Sequence, residues 1–153
     1  MGEKIMVLIS KYLDDKKIKF LNVRTRDEAI EALLEGADSE CILDKETFHQ
    51  AILDREKLVS TGIGMGVAIP HAKLPFYDDF FILVGILDRG LDWEALDGTP
   101  VRIIFLVGGP DDKQTQYLQI LSLLTLAVKD EERRKNLLKA LSPKDVIDLF
   151  KEL

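Results

Sequence analysis

Two apolar runs, Phe80 to Leu87 and Val101 to Val107, lie close together with no helical pattern between them. Runs of that length and character suit central strands covered on both faces. Asp97-Gly98 between them is a turn signal, and Gly108-Gly109-Pro110 is expected to break the second run. Strands that follow one another without a crossover helix pair antiparallel, so at least part of the sheet is expected to be antiparallel.

Helical patterns surround this pair. Ile5, Leu8, Ile9, Tyr12 and Leu13 share one face and predict an amphipathic helix over Met1 to Leu13. Ile18 to Val23 reads as a short strand or an extended link. Thr25 to Glu28 has the capping-box pattern, and Ala29, Ile30, Leu33, Leu34 and Ala37 form an apolar stripe behind it, with Gly36 as a stop. Asp44 caps a second helix that turns Phe48, Ala51 and Ile52 inward and carries Arg55-Glu56 near its end. Lys113 to Val128 predicts a long helix with Tyr117, Leu121, Leu124 and Val128 on one side. Asp130 to Leu141 predicts another. Ser142-Pro143 opens a last one bearing Val146, Leu149, Phe150 and Leu153. The expected architecture is an α/β/α sandwich, a mixed and mostly central sheet with helices on both faces, with 1–153 as a single domain.

Composition narrows the function. The 153 residues carry a net charge of −6, which argues against a nucleic-acid backbone as partner and suits a basic protein. Cys41 is the single cysteine, so no intrachain disulfide forms, the expected compartment is the cytoplasm, and a buried packing role is expected for the thiol. No small-residue cleavage site follows the N-terminal pattern, and no run of about 20 apolar residues exists to enter a membrane.

The candidate site centres on His71, which ends the run Thr61-Gly62-Ile63-Gly64-Met65-Gly66-Val67-Ala68-Ile69-Pro70-His71. Val67 to Ile69 predicts a short strand, and Pro70 cannot donate a strand hydrogen bond, so the imidazole is expected where a strand stops. The glycines do not match nucleotide fingerprints: no helix opens after them, and no Gly-Lys-Ser or Gly-Lys-Thr closes them. Metal binding is disfavoured, because His49 is the only other histidine. A hydrolase triad is disfavoured, because Ser60 lies outside a Gly-x-Ser-x-Gly elbow. Nucleophilic use of the imidazole remains, since a ring with pKa about 6.5 is mostly neutral at pH 7 and carries a free lone pair. A phosphoryl group taken up there needs donors. Candidates are backbone N–H groups of Ser60 to Gly66 (with Gly62 and Gly64), the hydroxyls of Ser60 and Thr61, and the Arg55 guanidinium, with Glu56 as an orienting carboxylate. From the residues alone, Arg55-Glu56 reads first as a solvated helix end.

Arg55-Glu56, Ser60-Thr61-Gly62-Ile63-Gly64 and Ala68-Ile69-Pro70-His71 together resemble the active-site signature of the fructose/mannitol/nitrogen-type enzyme IIA domains of the phosphoenolpyruvate-dependent phosphotransferase system. Leu91 to Val101, Ile103 to Leu106 and Tyr117 to Ser122 resemble the same family. The resemblance implies an α/β/α sandwich around a mixed sheet and no metal or organic cofactor. It implies that His71 accepts a phosphoryl group through Nε2, beside Arg55, from HPr or its nitrogen-branch counterpart. The group then passes in trans to a IIB domain, or the phosphorylation state signals to a regulated target. One position departs from the family pattern: Tyr117 stands where a second histidine is common. A tyrosine donates a hydrogen bond but carries no positive charge, which weakens support for a charged group. The alternative is therefore a non-catalytic binding module that keeps the IIA fold.

Overall fold

A computed structural model describes residues 8–38 and 41–153. Most of the expected N-terminal helix lies outside the described residues. Its end is a short 3-10 turn, Ile9–Tyr12, rather than an α-helix, and a second 3-10 turn spans Asp15–Lys17. The strands are β1 (Ile18–Leu21), β2 (Gly62–Gly64), β3 (Val67–Ala68), β4 (His71–Leu74), β5 (Phe81–Leu91) and β6 (Val101–Pro110). The helices are α1 (Arg26–Glu35), α2 (Lys45–Leu58), α3 (Gln114–Val128), α4 (Glu131–Lys139) and α5 (Pro143–Asp148). The side chains of Thr25, Asp44, Asp130 and Ser142 accept a backbone N–H at the starts of α1, α2, α4 and α5.

The six strands form one mixed sheet in the order β1-β5-β6-β3-β2, with β4 also on β6. β5 and β6 pair antiparallel, as expected for strands joined without a crossover, while β1 pairs parallel to β5. Alternate residues of β5 face opposite layers. Ile82, Val84 and Ile86 join a core with Ile120, Leu124, Leu137, Val146 and Phe150 from α3, α4, α5 and the chain after α5. Phe81, Leu83 and Leu87 join a second core with Ile30, Leu33, Phe48 and Ile52 of α1 and α2. The α/β/α sandwich is thus built on two cores sharing one sheet. Leu121 and Cys41, expected inside, are only half-buried at the margins of these cores.

Gly108-Gly109-Pro110 does not break β6. The strand continues through all three residues and pairs with β4. A Cβ on Gly108 would stand 2.3 Å from the Phe81 ring and 2.5 Å from that of Phe48, and one on Gly109 would stand 2.3 Å from Phe80. The glycines make room for three aromatic rings and are not a stop signal.

One edge of β6 is covered by a broken strand. β3 pairs with Ile103 and Ile104, β4 pairs with Val107 to Pro110, and Ile69-Pro70 forms the gap between them. Pro70 still contributes its carbonyl to Val107 N, at 2.9 Å. β2 extends the sheet beyond β3 but not beyond β4. His71 therefore opens a new strand at an uncovered sheet edge, where a proline is tolerated.

Candidate functional site

His71 pairs in register with Val107, a residue of the α3-side core, so its ring stands on that face of the sheet. There it meets Tyr117 of α3 edge-on, with ring centres 5.9 Å apart. Tyr117 stacks in turn on Phe80 at 6.1 Å and is 5 % exposed. The His71 Nδ1 lies 2.7 Å from the carbonyl oxygen of Ile69. A carbonyl only accepts, so Nδ1 carries the proton, and in the neutral ring the lone pair is on Nε2.

The electrostatics favour that neutral ring. Burial lowers the His71 pKa below its usual 6.5, and the positive charge of Arg55 lowers it further. The Ile69 hydrogen bond and the charge of Glu56 oppose them without reversing the direction. Burial also raises the Tyr117 pKa, against a smaller lowering by Arg55, so the phenol keeps its proton at any working pH. Arg55 is half-buried near the end of α2, where its Nη1 donates to the Val59 carbonyl at 2.8 Å.

Ser60, Thr61, Gly62, Gly64 and Glu56 are drawn to a different neighbour, the stretch from Asp92 to Thr99. Glu56 is 6 % exposed, and its carboxylate accepts from Thr61 N at 3.2 Å, from the Thr61 hydroxyl, and from Trp93 Nε1 at 3.3 Å. Trp93 Nε1 also lies 3.1 Å from the Thr61 hydroxyl oxygen. The Ser60 hydroxyl donates to the Trp93 carbonyl and accepts from Gly62 N at 3.0 Å. A Cβ on Gly62 would fall 2.9 Å from Ala95, and one on Gly64, whose φ is +96°, would fall 2.9 Å from the Asp97 carboxylate. Met65 and Gly66 both have positive φ and form the tight turn between β2 and β3, and Met65 N donates to Asp97 at 2.9 Å. The amides of Thr61, Gly62 and Met65 are thus bonded within the chain. The alternating glycines admit a crossing segment against a hairpin.

The sequence profile of the phosphoenolpyruvate-dependent sugar phosphotransferase system EIIA 2 family matches residues 11–153. The chain belongs to this family. It is 34% identical over 117 residues to a nitrogen regulatory protein of Bradyrhizobium diazoefficiens, covering 76% of each chain. It is 38% identical over 109 residues, 71% of its own length, to the fructose-specific EIIABC component of Bacillus subtilis, of which it spans 17%. Among solved structures, the nitrogen regulatory protein IIA-Ntr of Neisseria meningitidis superposes with a TM-score of 0.87 at 26% identity, over 94% of this chain and 99% of that one.

In this IIA chain the structure brings Tyr117 against His71, and the charges of Arg55 and Glu56 act on the imidazole. Three further residues escape a reading by motif. Trp93 and Asp97 anchor the crossing segment, and their signal is the Leu91 to Val101 stretch itself. Lys73 lies two residues beyond His71, and it shares a face with the imidazole only because β4 begins at His71. Among the described residues no helix is long and apolar enough to cross a membrane.

Proposed function

We propose that His71 is the phosphoryl acceptor of this IIA component. Its Nε2 lone pair attacks the phosphorus carried by HPr or an HPr-like phosphocarrier. The new N–P bond forms as the donor's bond to phosphorus breaks, and a IIB domain or a regulated target in trans receives the group or senses it. The observation that carries the reading is the 2.7 Å contact of Nδ1 with the Ile69 carbonyl, which leaves Nε2 unprotonated in a ring whose neutral form burial favours. Arg55 supplies positive charge that acts on the imidazole, and the Tyr117 ring, its phenol neutral, packs edge-on against it. Ser60, Thr61, Gly62 and Gly64 support the site by fixing the hairpin that leads into it. Exposed Leu58 and Val59 at the end of α2, and Leu118 beside Tyr117, offer a protein partner apolar contact on the two elements that flank the imidazole.

The test is incubation with phosphoenolpyruvate, enzyme I and HPr, reading acid-labile phosphate. The parent protein labels and His71→Ala does not; equal labelling of both would assign the acceptor elsewhere. The neutral Tyr117 favours a second reading, a binding module without transfer. That reading predicts no labelling from any matched donor, and partner binding that survives His71→Ala.

A further inference from the structure

Tyr117 touches two side chains of β4. His71 meets its ring at 5.9 Å between centres, and the Lys73 ammonium lies 5.4 Å from the ring centre. His71 and Lys73 are two residues apart on one strand, so both stand on the α3 side of the sheet. The Lys73 ammonium also donates to the side-chain oxygen of Gln114, the first residue of α3. Gln114 and Tyr117 are three residues apart on that helix and so neighbour each other on its surface. One turn of α3 thus holds a lysine on the same face as the imidazole.

A phosphoryl group on His71 brings between one and two negative charges at neutral pH, by analogy with other phosphorylated side chains, and these need countercharge. Arg55 approaches from α2 and is tied to the Val59 carbonyl. Tyr117 is neutral. We propose that Lys73 is the second cation of the phosphohistidine site, held by Gln114 and the Tyr117 ring until the phosphoryl group arrives. The lysine stem is flexible and its ammonium is a compact charge with three donors, so it can turn from the amide to a phosphoryl oxygen. Lys73 acts by attraction alone. This supplies what a tyrosine at position 117 withholds. The proposal rests on His71 being the acceptor.

Loading His71 with phosphoramidate, a chemical phosphoryl donor, frees the test from any partner protein. The phosphorus-31 NMR titration of the loaded group is then compared among the parent, Lys73→Met and Lys73→Arg. The transfer equilibrium with phosphorylated HPr is measured alongside. Lys73→Met raises the pH at which the phosphoryl group titrates and shifts the equilibrium toward the donor by about tenfold, the loss of one charge-assisted contact. Lys73→Arg restores both, and Tyr117→His in the Lys73→Met background restores part of the equilibrium. Parental behaviour of Lys73→Met overturns the proposal, as does failure of Lys73→Arg alongside it, which would mark a structural role. A parent protein that takes no phosphate on His71 from either donor overturns the acceptor assignment itself, and Lys73 falls with it.

Discussion

Residues 60–66 and 69–73, separated only by β3, use their polar groups in opposite ways. In the first stretch the hydroxyls of Ser60 and Thr61 and the amides of Thr61, Gly62 and Met65 are all bonded inside the protein, to Glu56, Trp93, Asp97 and one another. In the second, one backbone carbonyl orients one ring nitrogen and leaves the lone pair on the other. A single signature therefore splits into a clamp and, on the function proposed above, a reagent. The clamp serves the reagent by fixing the hairpin from which the broken edge strand, and so His71, departs.

Changes on the two sides separate in what they disturb. His71→Asn abolishes labelling while leaving the thermal unfolding midpoint near that of the parent; residual labelling would assign the acceptor to another residue. Trp93→Phe removes an indole N–H shared by Glu56 and Thr61, and costs about 1–2 kcal/mol in urea unfolding followed by circular dichroism. Its labelling per folded molecule stays at the parental level. A labelling defect without lost stability would place Trp93 on the reactive side.

Acidity provides a finer cut. Because the folded His71 pKa lies below 6.5, the imidazole stays neutral through pH 7, and with His71 as the proposed acceptor the labelling rate declines only as pH falls below 6.5. Stability follows the same sign. The unfolded chain takes up a proton on this ring before the folded chain does, so the imidazole's contribution is complete above pH 6.5. It is lost as pH falls from there toward the folded pKa. His71→Asn removes that part of the pH dependence, seen by comparing urea midpoints between pH 7 and pH 5. The smallest effect is expected at Tyr117. With Lys73 beside it, Tyr117→His changes the labelling rate by less than about threefold. A gain well beyond that would show that the tyrosine handicaps the site.

The helix starts were legible because their causes are local. Thr25, Asp44 and Ser142 cap the helices that follow them, as their positions imply. The pairing of β5 with β6 was legible because both runs are apolar and adjacent. Gly108-Gly109 misled because its reason is remote: the rings that occupy the space come from Phe48, Phe80 and Phe81. In residues 62–66 the amides of Gly62 and Met65, expected as ligand donors, are bonded to Ser60 and Asp97, and the close neighbours of Gly62 and Gly64, Ala95 and Asp97, lie some thirty residues on. Arg55-Glu56 shows the limit within a single helix turn. Nothing local distinguishes a solvated helix end from one in which Glu56 is buried and Arg55 half-buried.

The most direct measurement is a long-range hydrogen–nitrogen NMR correlation of the His71 ring before and after phosphorylation. The expected result is a neutral ring with the proton on Nδ1 at pH 7, and the phosphoryl group on Nε2 afterwards. A proton on Nε2 in the free protein, or phosphorus bonded to Nδ1, would contradict it.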